Sequence, residues 1–272
     1  MLTAPFRAVR RLFQPVYNFL AYDPEEVAVA ESFSNVLEHP QGIFEHIDAL
    51  RRHLLRSILA LVLTTSFSFT FARDLLKLLA VPVGGLENLQ AISVTEPLGV
   101  FMRVSLLSGF ALAFPYVALE FVAFVQSGLK PRGRLMLLVT IPAATVLFIG
   151  GMAFTYYVML PTAIPFLTGF LDITTKPRVD DYVRFVTGIM FWIGLSFQFP
   201  LVIYTLAAIG LIKARSLARQ WRLAFIVIAV LAAAVTPTVD PVNMSLVMAP
   251  MIVLYFLSIG LAFIAQRGRR NG

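Results

Sequence analysis

Residues 99–134 read GVFMRVSLLSGFALAFPYVALEFVAFVQSGLKPRGR. The run is apolar apart from a few small polar residues, carries charge only at Arg103 and Glu120, and stops at Lys130, Arg132 and Arg134. A bilayer core takes roughly 20 mostly apolar residues per helix, so this stretch is long enough to cross a membrane. Its basic end marks a side, because cytoplasmic loops retain Lys and Arg while exported loops are poor in them.

The same alternation continues in both directions. Further apolar stretches lie near 54–72, 135–160, 183–210, 223–237 and 244–264. Arg7, Arg10, Arg11, Arg51, Arg52 and Arg56 precede or open the first; Lys213, Arg215, Arg219 and Arg222 fill the fourth connection; Arg267, Arg269 and Arg270 form the tail. The opposite side holds Arg73, Lys77, Lys176 and Arg178. The expected fold is an all-α polytopic membrane protein of six transmembrane helices with both termini cytoplasmic. The expected organisation is a basic N-terminal extension (1–45), a six-helix domain (46–264) and a basic tail (265–272). Thr236-Pro237-Thr238-Val239-Asp240-Pro241 leaves room for only a tight turn between spans five and six. Pro115, Pro142, Pro161, Pro165 and Pro200 lie in or beside spans, and each removes a backbone donor, so a kinked, concave bundle is expected.

Composition agrees with this reading. Hydrophobic residues are 58% of the 272 and charged residues 14%, a balance that leaves a soluble surface too apolar. The net charge of +7 sits beside apolar spans, where it meets anionic lipid and sets orientation; nucleic acid is not the expected partner. Without cysteine there are no disulfides, thiol nucleophiles or thiolate metal sites. Arg7, Arg10 and Arg11 break up Met1 to Leu20, so it lacks the apolar core of a secretory signal. A surface-lying amphipathic helix and a disordered basic leader both remain open there.

Residues able to carry chemistry are few. No GxSxG, HExxH or paired intramembrane aspartate occurs, and neither a catalytic residue nor a cofactor is expected. His39, His46 and His53 recur every seven residues, but a rise of about 1.5 Å per residue spaces them about 10 Å apart, too far to share a metal. Pro40 also interrupts that run, and they read as surface histidines. Ionisable groups inside lipid are costly and usually functional, which singles out Glu120, with Gln198 as a polar residue just before Pro200. Glu120 reads either as an interfacial carboxylate reaching water or as an acceptor in a cytoplasm-side cavity for a cationic partner. Arg103 is expected in an internal ion pair, Glu96 being one candidate partner, and Asp180 and Asp181 beside Arg184 as a solvated helix start. A secondary transporter of a small solute is the competing class, but no repeat relates the two halves and ionisable groups avoid the midplane.

The ordered markers resemble the TatC family, the multi-spanning subunit of the twin-arginine protein translocase. They are His46-Ile47-Asp48-Ala49-Leu50-Arg51-Arg52-His53-Leu54, Thr95-Glu96-Pro97, Phe114-Pro115, Ala123-Phe124, Gly194-Leu195-Ser196-Phe197-Gln198-Phe199-Pro200, Thr236-Pro237, Asp240-Pro241 and Pro250. The resemblance implies a cup-shaped receptor in a bacterial-type cytoplasmic membrane that binds signal peptides of folded cargo, each bearing two consecutive arginines. It also implies small single-span TatA/TatB-type subunits and other TatC copies as partners. Retained positions include Arg51, Pro82, Phe124, Leu129 and Asp240, with Pro82, Pro115 and Asp240 structural. The departures are Ala49 and Gly133, where the family usually carries glutamates, and Phe256, where span six often has one. With both cytoplasmic glutamates replaced, Glu45, Asp48 and Glu120 are the substitutes expected at the signal-peptide site, alongside Arg51, Phe124 and Leu129. Gln198 and Pro200 are the expected partner-subunit contact. A divergent paralogue working beside a more typical TatC stays open.

Overall fold

The structure, a computed structural model, describes residues 40–126, 133–169, 176–208, 210–236 and 241–270. Side chains are described at 47–124, 140–169, 176–208, 210–236 and 241–267. The helices are α1 (Pro40–Ser68), α2 (Ala72–Ala80), α3 (Glu96–Gln126), α4 (Gly133–Phe154), α5 (Leu160–Thr168), α6 (Val179–Ser196), α7 (Phe199–Ala208), α8 (Ala214–Arg219), α9 (Trp221–Val235) and α10 (Pro241–Arg270). Among the described residues the only sheet-like pairing is a single parallel bridge between Gln90 and Arg178.

Each of the six apolar stretches becomes helical. Glu96–Phe124, Thr140–Thr168, Val179–Ala208 and Pro241–Arg267 are long and apolar enough to cross a bilayer. Ile47–Ser68 is bent by 78° from Ala72–Val83, and α9 has 15 residues. At about 1.5 Å per residue α9 is about 22 Å long, short of a hydrocarbon core about 30 Å thick. The first span ends sooner than expected from the apolar run to residue 72. Phe71 donates to the Ser68 carbonyl at 3.1 Å and the Thr70 hydroxyl to that of Phe67 at 2.7 Å, which closes a turn. The chain then enters amphipathic α2, burying Ala72, Leu79 and Ala80 and exposing Arg73, Asp74 and Lys77.

The described part of α1 begins at Pro40, so whether that proline interrupts a longer helix falls outside the described residues. The other prolines account for the irregular helices. Thr155–Met159 is a π-helical turn between α4 and α5, and Pro161 follows it with no N–H to offer the carbonyl of residue 157. In the same way Pro200 cannot donate to Ser196, where α6 ends before the Phe197-Gln198 break. Pro115 sits inside continuous α3, and Pro82 lies in a short 3-10 turn, Val81–Val83. Gly84 (φ 87°) and Gly85 (φ 109°) follow it in backbone conformations that a side chain would strain.

The chain divides into two compact units, 1–64 with 112–145, and 65–111 with 146–272. The first holds most of α1, the end of α3 and the start of α4. The second has a core of Val100, Val104, Leu160, Val183, Val186 and Ile193 and a smaller cluster where Ile203 and Ala207 of α7 meet Ala214, Ala262 and Ala265. Without lipid-driven apolar collapse, membrane helices gain contact by close approach at small residues. A Cβ on Gly151 of α4 would lie 2.8 Å from the Gly194 Cα of α6. One on Gly109 of α3 would lie 2.5 Å from the Thr65 Cα of α1.

Candidate functional site

The first unit contains the feature that departs most from ordinary membrane-helix chemistry. Glu120, in the last two turns of α3, is fully buried. It does not reach water, as the interfacial alternative required. Helical periodicity aims His53 and Arg56, one turn apart on α1, at the same carboxylate. His53 Nδ1 lies 2.5 Å from Glu120 Oε2 and Arg56 Nη1 3.9 Å from the same oxygen. The second oxygen, Oε1, is buried with no hydrogen-bond partner. Tyr116, one turn back on α3, interacts with the carboxylate but is not in bonding geometry with Oε1. Phe124 is half-buried and meets the His53 ring edge-on, centroids 6.1 Å apart.

The histidine reading therefore needs correction. While the side chains of His39 and His46 lie outside the described set, His53 is half-buried, with 22% of its side chain exposed, and meets the Glu120 carboxylate. The heptad argument tested it for a metal and missed the simpler demand, that a carboxylate inside lipid needs a cation. The basic residues nearest the same end of the neighbouring helix were the available signal.

Of the other residues expected at this site, Asp48 and Arg51 are exposed on α1 and Ala49 is half-buried. Glu45 and Gly133 lie within α1 and α4, but their side chains fall outside the described set, and Leu129 and Asp240 lie outside the described residues altogether.

The second unit carries the remaining ion pairs. Arg103 bonds Asp180, which also takes Arg184 at 3.0 Å. Glu96 bonds Arg178 and accepts from the backbone N–H groups of Ile92 (3.2 Å) and Ser93 (3.1 Å). Arg103 thus pairs with Asp180 and not Glu96, and Asp180, 16% exposed, is not a solvated helix start. The charge-assisted bond from Glu96 holds the Arg178 guanidinium above its already high ordinary range. Gln90 N–H donates to the Pro177 carbonyl at 3.2 Å and Val179 N–H to that of Gln90 at 3.0 Å. Tyr182 and Tyr156 donate to the carbonyls of Leu79 (2.7 Å) and Leu78 (2.9 Å). Together these bonds tie the end of α2, the loop after it and the start of α3 to the start of α6, with Tyr156 adding a tie from the π-helical turn to α2.

Also in the second unit is an apolar groove of about 510 Å3, lined by Trp192, Gln198 and Val202 of the broken α6–α7 span, Val227 and Leu231 of α9, and Tyr255 of α10. Gln198 lies at the break and lines the groove, while Pro200 is buried.

With this arrangement of helices established, the chain can be set beside known proteins. The family model described as Sec-independent protein translocase protein (TatC) matches residues 45–250. The chain belongs to the TatC family. It is 32% identical to TatC of Carboxydothermus hydrogenoformans over 83% of this chain and 94% of that protein. It is 33% identical to the chloroplastic TATC of Pisum sativum over 79% of this chain and 62% of that one. A crystal structure of the twin arginine translocase receptor TatC superposes with a TM-score of 0.74 at 30% identity, covering 82% of this chain and all of that one. The protein is an integral membrane, all-helical TatC-family component of Sec-independent protein transport.

Proposed function

We propose that this TatC-family protein is the receptor and core subunit of a twin-arginine translocase, binding signal peptides of folded cargo at its cytoplasmic face in a bacterial-type cytoplasmic membrane. The observation that carries the reading is Glu120: a buried carboxylate with one oxygen unpartnered in a chain that has Ala49 and Gly133 where relatives usually carry glutamates. A guanidinium fork is the cation that best matches such an acceptor, because it engages both carboxylate oxygens in one plane. Asp48 and Glu45 stand one turn apart on α1 and supply further negative charge for the second arginine, with Arg51, Phe124 and Leu129 flanking the peptide. Such a receptor works by recognition and needs no catalytic group or cofactor.

The groove at Gln198 suits the helix of a small single-span TatA/TatB-type subunit. Its walls are apolar, and one side-chain amide can bond across helices in lipid. Purified protein titrated with a twin-arginine peptide tests the receptor reading. Glu45→Gln, Asp48→Asn and Glu120→Gln combined should weaken binding by at least about tenfold, the value of one charge-assisted bond. Unchanged binding would sink it. For the groove, Gln198→Leu should reduce co-purification of single-span subunits.

A further inference from the structure

Glu120 is fully buried, and none of the described residues bonds its Oε1. A buried carboxylate left short of a partner is costly, so a cation that reaches Oε1 stabilises the protein even when no cargo is present. The described cations nearby leave the place unfilled. Arg56 stands 3.9 Å from Oε2, and Arg51 and Arg52 are exposed on α1. The chain has two further pairs of consecutive arginines, Arg10-Arg11 and Arg269-Arg270. The latter pair stands at the end of α10, in the other unit. Arg10-Arg11 opens an uncharged stretch from Leu12 to Tyr22, and residues 1–22 contain no acid. Ahead of α1 the chain thus carries the same cationic pair that a cargo leader would present to Glu120.

We propose that Arg10-Arg11 and the uncharged stretch after them are an internal leader, which occupies the Glu120 site between cargoes and must be displaced by the leader of a cargo. The proposal rests on the receptor reading above and adds its regulation. One guanidinium of the pair donates to Oε1 while His53 keeps Oε2, and Leu12 and Phe13 lie against Phe124 and the exposed Leu50 and Leu54 of α1.

Reach and charge both favour a tethered occupant. The chain from Arg11 to Pro40 spans about 40 Å if helical and about 95 Å if extended, and His53 lies about 20 Å along α1 from Pro40. Arg51, Arg52 and Arg56 bring positive charge to the same end of α1, which opposes a cation arriving from solution. A tethered cation offsets that repulsion through its effective concentration. With that concentration on the order of 1 mM, a segment of dissociation constant about 0.1 mM fills the site about ten times as often as not, and an external leader binds about tenfold more weakly.

The experiment uses the full-length protein in lipid nanodiscs, where the lack of native cysteine lets two be introduced without background. With Leu12→Cys and Val117→Cys, the latter about one turn before Glu120 on α3, mild oxidation should give an intramolecular disulfide seen by mass spectrometry. A saturating twin-arginine peptide should suppress it, and so should Arg10→Gln with Arg11→Gln. In the cysteine-free protein, Arg10→Gln with Arg11→Gln should raise affinity for the peptide by about tenfold. A disulfide that forms equally with the peptide present, or an unchanged affinity in the arginine variant, overturns the internal leader and leaves the receptor reading standing. The same holds if Arg132→Gln, between α3 and α4, raises affinity and the Arg10, Arg11 variant does not, because the resident cation is then Arg132. Peptide binding by neither the native protein nor the arginine variant removes both readings.

Discussion

Helix α3 carries a buried carboxylate near each end, and the two are treated in opposite ways. Glu96 accepts from the Arg178 guanidinium and from two backbone N–H groups, so both its oxygens are used. Glu120 has one imidazole and a distant guanidinium on one oxygen and the Tyr116 hydroxyl nearby, with no partner in bonding geometry on its other oxygen. A buried charge is tolerated when its bonding capacity is filled and is expensive when it is not. Glu96 therefore reads as a fastener and Glu120 as a site kept short of a partner.

The contrast breaks if the two glutamates respond alike. Glu120→Gln should lower affinity for a twin-arginine peptide by roughly tenfold to a hundredfold, the range for one charge-assisted bond, while leaving the thermal midpoint little changed, because the amide relieves a poorly compensated charge. Glu96→Gln should do the reverse, lowering the midpoint by several degrees and leaving peptide affinity as it was. Peptide titration and a thermal melt of the same two variants decide it.

A finer test separates fastening from mere proximity. If Glu96 and Arg178 act as one unit, Arg178→Gln should destabilise about as much as Glu96→Gln, and the double variant little more than either, because coupled partners do not add. Arg103→Gln should cost less, since Asp180 keeps Arg184 at 3.0 Å. Additive losses would mean that these contacts are incidental.

Much of this was readable in the amino-acid order. The existence of the apolar spans followed from their length, although the first ends at Ser68 and the third runs on to Thr168, and the irregularities near Pro161 and Pro200 followed from the missing N–H. Glu120 stood out because it is charged inside an apolar run. Its partner did not, because His53 looks like any polar residue at the entry to a helix; only the packing of α1 against α3 within the first unit selects it over Arg51 or Arg52. The 78° turn after Ser68 was hidden for a related reason. The sequence from Phe67 to Phe71 is as apolar as the span before it, and the bend depends on where α2 can bury Leu79 and Ala80. Arg103 was expected in an internal ion pair with Glu96 as one candidate, and the fold supplies that pair from Asp180, 77 residues on.

The smallest expected effect tests how far fastening extends beyond charge. Tyr182 is buried and its hydroxyl donates to the Leu79 carbonyl at 2.7 Å. Tyr182→Phe keeps the ring, and with it the packing in the core beside Val183 and Val186, but leaves a carbonyl at the end of α2 without its donor. The loss should be about 1 kcal/mol, the net value of a neutral hydrogen bond, measured by reversible denaturation in detergent. Tyr156→Phe, whose bond to the Leu78 carbonyl is exposed, should cost less, because water can replace the lost donor. Equal losses at the two positions would show that the carbonyls at the end of α2 are equally wet, and the neutral bonds would then add nothing to the hold that Glu96 and Arg178 exert on that region.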